Sequence, residues 1–132
     1  MEAKEFLSQA YKLDRQAMLI VEKAERLRAS LYGYQDATEA VAKVNAYEQQ
    51  ANAVIDKLVD KRIEIENAIK TVPDETQREV LERRYLLFQR WDGRFDEYSG
   101  EYTQGIAEAM GYSRRQILRI HGTALQKIKI PE

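Results

Sequence analysis

Apolar residues recur along the first quarter of the chain at alternating steps of four and three residues. The series is Phe6, Ala10, Leu13, Ala17, Ile20, Ala24, Leu27, Leu31 and Tyr34. This spacing is typical of a coiled-coil seam, and alanine at one seam position lets a partner helix approach closely. The pattern predicts one helix over residues 2–32, ended by Gly33 in the left-handed cap conformation.

A second helix is predicted over residues 36–70, where apolar residues recur every seven positions. They are Val44, Ala51, Leu58, Ile65 and Val72, with further apolar residues on both sides. The stripe is wider than a two-helix seam, so this helix should contact more than one partner. Because only a short turn separates the two helices, they should pack antiparallel.

The chain changes character after Pro73, which stops the second helix, while Asp74 is a suitable N-cap for a third. The third helix carries Val80, Leu81, Tyr85, Leu87, Phe88 and Trp91. The polar and aromatic segment 92–105 is compatible with a hairpin, a loop or an irregular helix extension. It is followed by a short helix over 106–110, a glycine-bearing turn, and a longer helix from Ser113 to residue 129. This succession is the pattern of a helix-turn-helix.

These elements predict an all-α fold in two parts. Residues 1–72 form a long antiparallel helical hairpin, coiled-coil-like, for oligomerisation or partner docking. Residues 73–132 form a helix-turn-helix domain with an insertion at 92–105.

The final helix carries the candidate chemistry. Ile117, Ile120, Ala124 and Ile128 share one face, so the polar side chains near its start should project outward, where they can reach base edges in the major groove. Arginine pairs with guanine and glutamine with adenine. Arg114 and the amides after Ser113 are placed to meet phosphate, and His121 is expected to add a backbone contact. The predicted DNA-binding residues are Ser113, Arg114, Arg115, Gln116, Arg119, Thr123 and Lys127.

Charge is unevenly distributed along a chain whose net charge is only −1. Residues 112–130 contain five arginines and lysines and no carboxylate, whereas acids outnumber bases over residues 74–108. A cationic end on a neutral protein favours a nucleic-acid partner. A solvated cationic face on an ordinary bundle helix remains the alternative.

Composition excludes several kinds of site. The chain has no cysteine and one histidine, which excludes disulfides, thiolate metal sites, the usual zinc sites and histidine-based catalytic pairs. We therefore expect no enzyme, no cofactor and no metal. Asp56, Asp60, Glu64 and Asn67 line one side of the second helix and are interpreted as a solvated face rather than a metal site. Trp91 with its aromatic neighbours is interpreted as core rather than as a stacking platform for single strands.

Nothing in the sequence predicts a membrane protein. No apolar run approaches the ~20 residues that span a bilayer, and residues 1–9 carry Glu2 and Glu5 and lack the apolar segment of a signal peptide. A cytoplasmic location without membrane contact is expected.

Residues 112–128, with the sequence YSRRQILRIHGTALQKI, resemble the recognition helix of region four of bacterial sigma factors. Residues 106–111 (IAEAMG) are similar to the helix and turn before it, and residues 80–85 (VLERRY) with Trp91 are similar to that region's first helix. Residues 3–14 (AKEFLSQAYKLD) extend the likeness to small phage and prophage proteins of Gram-positive bacteria. Some of these are described as late-gene transcription regulators of the ArpU type.

This chain departs from the resemblance at two points. The segment 92–104 intervenes between the tryptophan and the next helix, which nearly adjoin in sigma factors. Sigma factors usually have a base-reading glutamate where Arg115 stands and an arginine where Gln116 stands, so their promoter preference does not carry over.

The resemblance implies a phage or prophage transcription regulator in the cytoplasm of a bacterial host cell. Its expected partners are double-stranded DNA, RNA polymerase and, through the hairpin, a second copy of the chain. Two alternatives stay open. One is a protein-interaction module that binds RNA polymerase or a phage regulator without reading DNA. The other is a packaging component resembling the small terminase subunit, in which the DNA-binding part usually comes first.

Overall fold

The computed structural model describes residues 1–31 and 36–131. The fold is all-α, as predicted, with one small antiparallel sheet. The elements in chain order are α1 (Ala3–Leu7), α2 (Gln9–Ser30), α3 (Thr38–Ile69), α4 (Glu75–Tyr85), β1 (Arg94–Phe95), β2 (Tyr102–Thr103), α5 (Ile106–Met110) and α6 (Arg114–Lys127).

The single helix predicted over residues 2–32 is interrupted at Ser8. The Ser8 hydroxyl donates to the carbonyl of Lys4 at 2.7 Å, and the Ser8 backbone N–H bonds the same carbonyl at 3.0 Å. A serine hydroxyl that bonds the carbonyl four residues back competes with the helical ladder and bends helices. The one-helix prediction is wrong there, and the predicted end at Gly33 lies outside the described residues.

Residues 10–61 form one compact unit, a hairpin of α2 and α3. Val21 and Ala24 of α2 line the same crevice as Ala51 and Ile55 of α3. Arg28, further along α2, forms an ion pair with Glu48, which comes earlier in α3. The later residues of α2 thus lie beside the earlier residues of α3. The helices are therefore antiparallel, as expected. The buried residues are Ala10, Ala17, Ala24, Val44, Ala51, Val54 and Leu58.

The second compact unit combines residues 1–9 with the chain from Arg62 onward. The contacts thus group the chain differently from the expected division at 72/73. The last two turns of α3 belong with the C-terminal elements, and α1 contacts α6. The largest fully buried side chains of this unit are Leu7, Ile65, Ile69, Val72, Val80, Leu81, Ile106 and Ile117.

Helix α4 begins as predicted and ends earlier than predicted. The Asp74 carboxylate accepts the backbone N–H of Gln77 at 2.9 Å, which confirms the N-cap. The helix ends at Tyr85, because Leu87 donates back to the carbonyl of Glu82 and Phe88 takes a left-handed backbone with φ of 57°. Leu87, Phe88 and Trp91 therefore follow the helix instead of extending it.

Of the three possibilities for segment 92–105, the structure adopts the hairpin. Arg94 pairs with Thr103 and Phe95 with Tyr102. The Asp96 carboxylate caps the tip by accepting the backbone N–H of Tyr98 at 2.9 Å, and this hydrogen bond lowers the pKa of Asp96. The segment is a small β-hairpin.

The two ends of this insertion lie side by side. The backbone N–H of Ile106 donates to the carbonyl of Arg90 at 2.9 Å. A Cβ at Gly105 would lie 2.5 Å from the Trp91 carbonyl oxygen, so the close approach requires glycine. The chain therefore leaves and re-enters the helical core at one point, and the insertion does not push α5 away from the end of α4.

Candidate nucleic-acid interface

Helices α4, α5 and α6 share a small apolar core. Its buried members are Val80, Ile106, Ala107 and Ile117, one or two from each helix, with Trp91, Met110 and Ile120 packed against them. Ile117 is fully buried, as the sequence predicted, and it anchors the N-terminal half of α6.

The turn between α5 and α6 is built by local hydrogen bonds. Gly111 has φ of 76° and ψ of 26°, a left-handed conformation that glycine adopts at little cost. The Ser113 hydroxyl accepts the N–H of Gln116 at 3.1 Å, and the Gln116 side-chain oxygen accepts the N–H of Ser113 at 2.9 Å. This reciprocal capping box fixes where α6 begins.

The burial pattern orients α6 about its axis. Ile117, His121 and Ala124 are its buried residues. At about 100° per residue, the opposite face is centred on Arg115, Arg119, Gly122 and Gln126, all of which are exposed. The isoleucine side faces inward and the two arginines face outward, as expected.

Arg115 and Arg119 have no counter-ion among the described residues. Across residues 1–31 and 36–131, neither guanidinium forms an ion pair or a hydrogen bond with another side chain. Lys127, the last residue of the helix, is also exposed. The cationic charge of this face is available to an external anion.

Arg114 lies at the edge of this face and is partnered. Its Nε is 3.0 Å from Oδ2 of Asp92, at the start of the β-hairpin. The two side chains are 60% and 61% exposed, and an ion pair this open to solvent is worth about 0–1 kcal/mol. A phosphate oxygen can therefore compete with Asp92 for Arg114.

Two of the predicted base-contacting residues are engaged in hydrogen bonds of their own helix. The amide oxygen of Gln116 accepts a hydrogen bond in the capping box. Gln116 can therefore bind adenine through both its amide oxygen and its amide nitrogen only if that hydrogen bond breaks or the oxygen accepts a second one. Thr123 is half-buried and its hydroxyl donates to the carbonyl of Arg119 at 3.1 Å. The base contacts expected from Gln116 and Thr123 stay predictions.

His121 is not on the surface. It is 8% exposed, its Nε2 lies 2.7 Å from the Tyr85 hydroxyl, and the Trp91 ring meets it edge-on at 4.7 Å between centroids. Burial lowers the pKa of His121 to about 4, assisted by the positive charges of Lys4 and Arg84. The expected contact of His121 with the DNA backbone is therefore wrong, because the imidazole is neutral and lies inside the unit.

Tyr85, the last residue of α4, and Trp91, six residues further on, both pack against His121. Tyr85 is 5% exposed, and burial raises the pKa of its hydroxyl to about 12. Trp91 is half-buried, with the Arg84 guanidinium 4.7 Å above its ring. Tyr85 and Trp91 thus pack against the interior of the unit, in line with the core interpretation of these two rings.

Sequence reasoning missed two parts of this region. Gly122 and Gln126 occupy the centre of the outward face, and continuing the three- and four-residue steps from Arg115 and Arg119 finds both. The contact of α1 with α6 was also missed, since Phe6 fits the seam spacing of the hairpin but is buried in the other unit.

Comparison with protein-family models, with curated proteins and with solved structures finds no match for this chain. No described helix has the length and apolar character needed to cross a membrane. The described residues contain no group of three or more histidine, aspartate or glutamate side chains arranged to hold a metal ion.

Proposed function

We propose that this protein binds double-stranded DNA through α6 and acts as a phage or prophage transcription regulator of the sigma region four-like kind that its sequence resembles. One observation carries the proposal. The outward face of α6 presents Arg115 and Arg119 to solvent without a carboxylate partner among the described residues.

The arrangement around these arginines suits a duplex. The helix N-terminus supplies unpaired backbone N–H groups that attract phosphate. Arg114 flanks that end and Lys127 lies near the other, so cationic groups are spread along the whole helix, about 20 Å long. Phosphate contacts at both ends would fix the helix in the groove while the central arginines reach base edges.

The connection between α4 and α5 also supports the resemblance. The hydrogen bond from Ile106 to Arg90 closes the insertion at its base, and α4, α5 and α6 share one apolar core, so the added segment does not interrupt the three-helix packing. The hairpin is an addition to the helix-turn-helix and not a replacement for any of its parts.

The test is an anisotropy titration of a labelled duplex recovered from a random library by the wild-type protein. The double variant Arg115→Ala with Arg119→Ala should lose roughly 1–3 kcal/mol of binding per base-reading arginine. A matched control, Arg15→Ala with Arg26→Ala, removes the same charge from the exposed surface of α2 and should bind like the wild type. Equal affinity of both double variants would refute the assignment.

A second candidate function has a specific observation in its favour. Asp92 pairs with Arg114, and the same β-hairpin exposes Asp96, Glu97 and Glu101. Asp92 beside the start of α6, together with the other carboxylates of the hairpin, would disfavour a duplex and suit a cationic protein surface, such as one on RNA polymerase. A wild-type protein that shifts no duplex at micromolar concentration and low salt would favour this protein-interaction module.

We extend the proposal to a homodimer formed through the α2–α3 hairpin. The hairpin core is mostly alanine and buries little apolar surface, while Met18, Val21, Ile55 and Val59 remain exposed. A second copy would cover these residues and place two recognition helices on one DNA site. Light scattering should give the mass of two chains, and Ile55→Glu with Val59→Glu should give one. A wild-type monomer at all concentrations would exclude this dimer.

A further inference from the structure

The exposed face of α6 contains a glycine that the protein's own structure does not require. Gly122 lies in the helix interior, is exposed, and does not have positive φ. A Cβ placed on it would meet no atom within 4 Å apart from the adjacent residues and the backbone of its own helix turn. Neither backbone geometry nor packing explains glycine at this position.

Two other glycines show what a structural requirement looks like in this chain. Gly111 holds φ of 76° in the turn before α6. Gly105 lies so near Trp91 that a Cβ would fall 2.5 Å from a backbone oxygen. Gly122 has neither feature, yet glycine is the poorest helix former after proline. Its presence weakens α6 with no compensating contact inside the described part of the chain.

The location of Gly122 relates it to the two arginines. At about 100° per residue it lies within roughly 20° of Arg115 around the helix axis, two turns further on. Arg119 precedes it by one turn on the same face. Gly122 therefore leaves a gap in the side-chain layer of the face that carries both arginines, one turn after Arg119 and two turns after Arg115, and a ligand lying along this face reaches bare helix backbone there.

We propose that Gly122 is a positioning residue, which lets the backbone of α6 come into van der Waals contact with DNA in the major groove. Glycine is the residue that permits such close approach of a main chain to a ligand. The depth of insertion in turn decides whether Arg115 and Arg119 reach base edges. This inference rests on the proposed function, since it takes the DNA contact of α6 as given.

The experiment uses Gly122→Ala and Gly122→Leu in the full chain, with Ala53→Leu on the exposed surface of α3 as the matched addition of bulk. Each is titrated against the selected duplex and a mixed-sequence duplex, and each is melted without DNA. Affinity for the selected duplex should fall about tenfold for the alanine variant, the scale of an overpacked contact, and further for leucine. Affinity for mixed-sequence duplex, dominated by phosphate contacts, should change less. Melting temperatures of both Gly122 variants should equal or exceed that of the wild type.

The outcomes separate this inference from the proposed function. Unchanged affinity of both Gly122 variants, in a protein that binds the selected duplex through Arg115 and Arg119, overturns the role of Gly122 alone. A wild type that binds no duplex overturns both. A lower melting temperature for Gly122→Ala would show that the glycine serves the fold, and it would also overturn the inference. A loss in Ala53→Leu equal to that in Gly122→Leu would do the same.

Discussion

Acidification should destabilise the compact unit formed by residues 1–9 and the chain from Arg62 onward, through one buried side chain, His121. Its pKa falls from an ordinary 6.5 to about 4 in the folded protein, chiefly because burial disfavours the charged imidazole. Well above pH 6.5 the group is neutral in both folded and unfolded chains and contributes no pH dependence. Between pH 6.5 and about 4 the unfolded chain binds a proton that the folded chain does not, so stability falls as pH falls. Below about pH 4 both states are protonated and the loss is complete.

The size of the effect follows from the two pKa values. One pKa unit corresponds to about 1.36 kcal/mol, so the full loss is about 3 kcal/mol, and about 2.5 kcal/mol of it is present at pH 4.5. This is a large part of the stability of a small domain, which is about 5–15 kcal/mol. The single tryptophan, Trp91, lies against His121 and so reports on this core by its fluorescence.

The assay is urea denaturation followed by Trp91 fluorescence at a series of pH values between 4.5 and 7.5. Other groups also titrate in this range, so the control is His121→Gln, which keeps a polar partner for the Tyr85 hydroxyl and cannot titrate. The wild type should lose about 2.5 kcal/mol more than His121→Gln between pH 7 and pH 4.5. Parallel pH profiles for the two proteins would refute a neutral, buried His121.

Three further changes test the local supports of α6. Ser113→Ala removes the acceptor for the N–H of Gln116 and should cost about 1 kcal/mol in urea denaturation, with no loss expected if the capping box is not formed. Gly111→Ala forces a side chain into φ of 76° and should cost about 1–2 kcal/mol although a Cβ meets no atom there, and an unchanged melting temperature would show that the turn adopts another conformation. Tyr85→Phe leaves Nε2 of His121 without its hydroxyl partner and should cost about 1 kcal/mol, a loss that His121→Gln should alter when the two variants are combined.

Local patterns in the sequence were enough to predict most of the elements. The second helix was expected over residues 36–70 and runs from Thr38 to Ile69. The N-caps Asp74 and Ser113 were both identified because the cap residue and the groups it bonds lie within three residues of each other. Features that depend on such short-range interactions can be predicted from the sequence.

Features that depend on residues far apart in the sequence could not be predicted in this way. His121 fits the apolar spacing of α6, but its burial depends on the hydroxyl of Tyr85, which lies 36 residues earlier. Phe6 fits the hairpin seam equally well, and only the contact of α1 with α6 assigns it to the other unit. The outward position of Arg115 and Arg119 was predicted correctly, because it needs only the helical repeat and the buried side.

The hydrogen bond between Ile106 and Arg90 predicts that segment 93–104 tolerates insertions and changes of length. A chain that departs and returns at one hydrogen bond imposes no length on what lies between, and the entropy of closing a longer loop grows only with the logarithm of its length. We expect that foreign sequence, such as an epitope or a small reporter domain, grafted there will leave the packing of α4, α5 and α6 in place, which the melting temperature would check. Relatives of this protein should accordingly differ more in length at this point than anywhere else in their C-terminal halves.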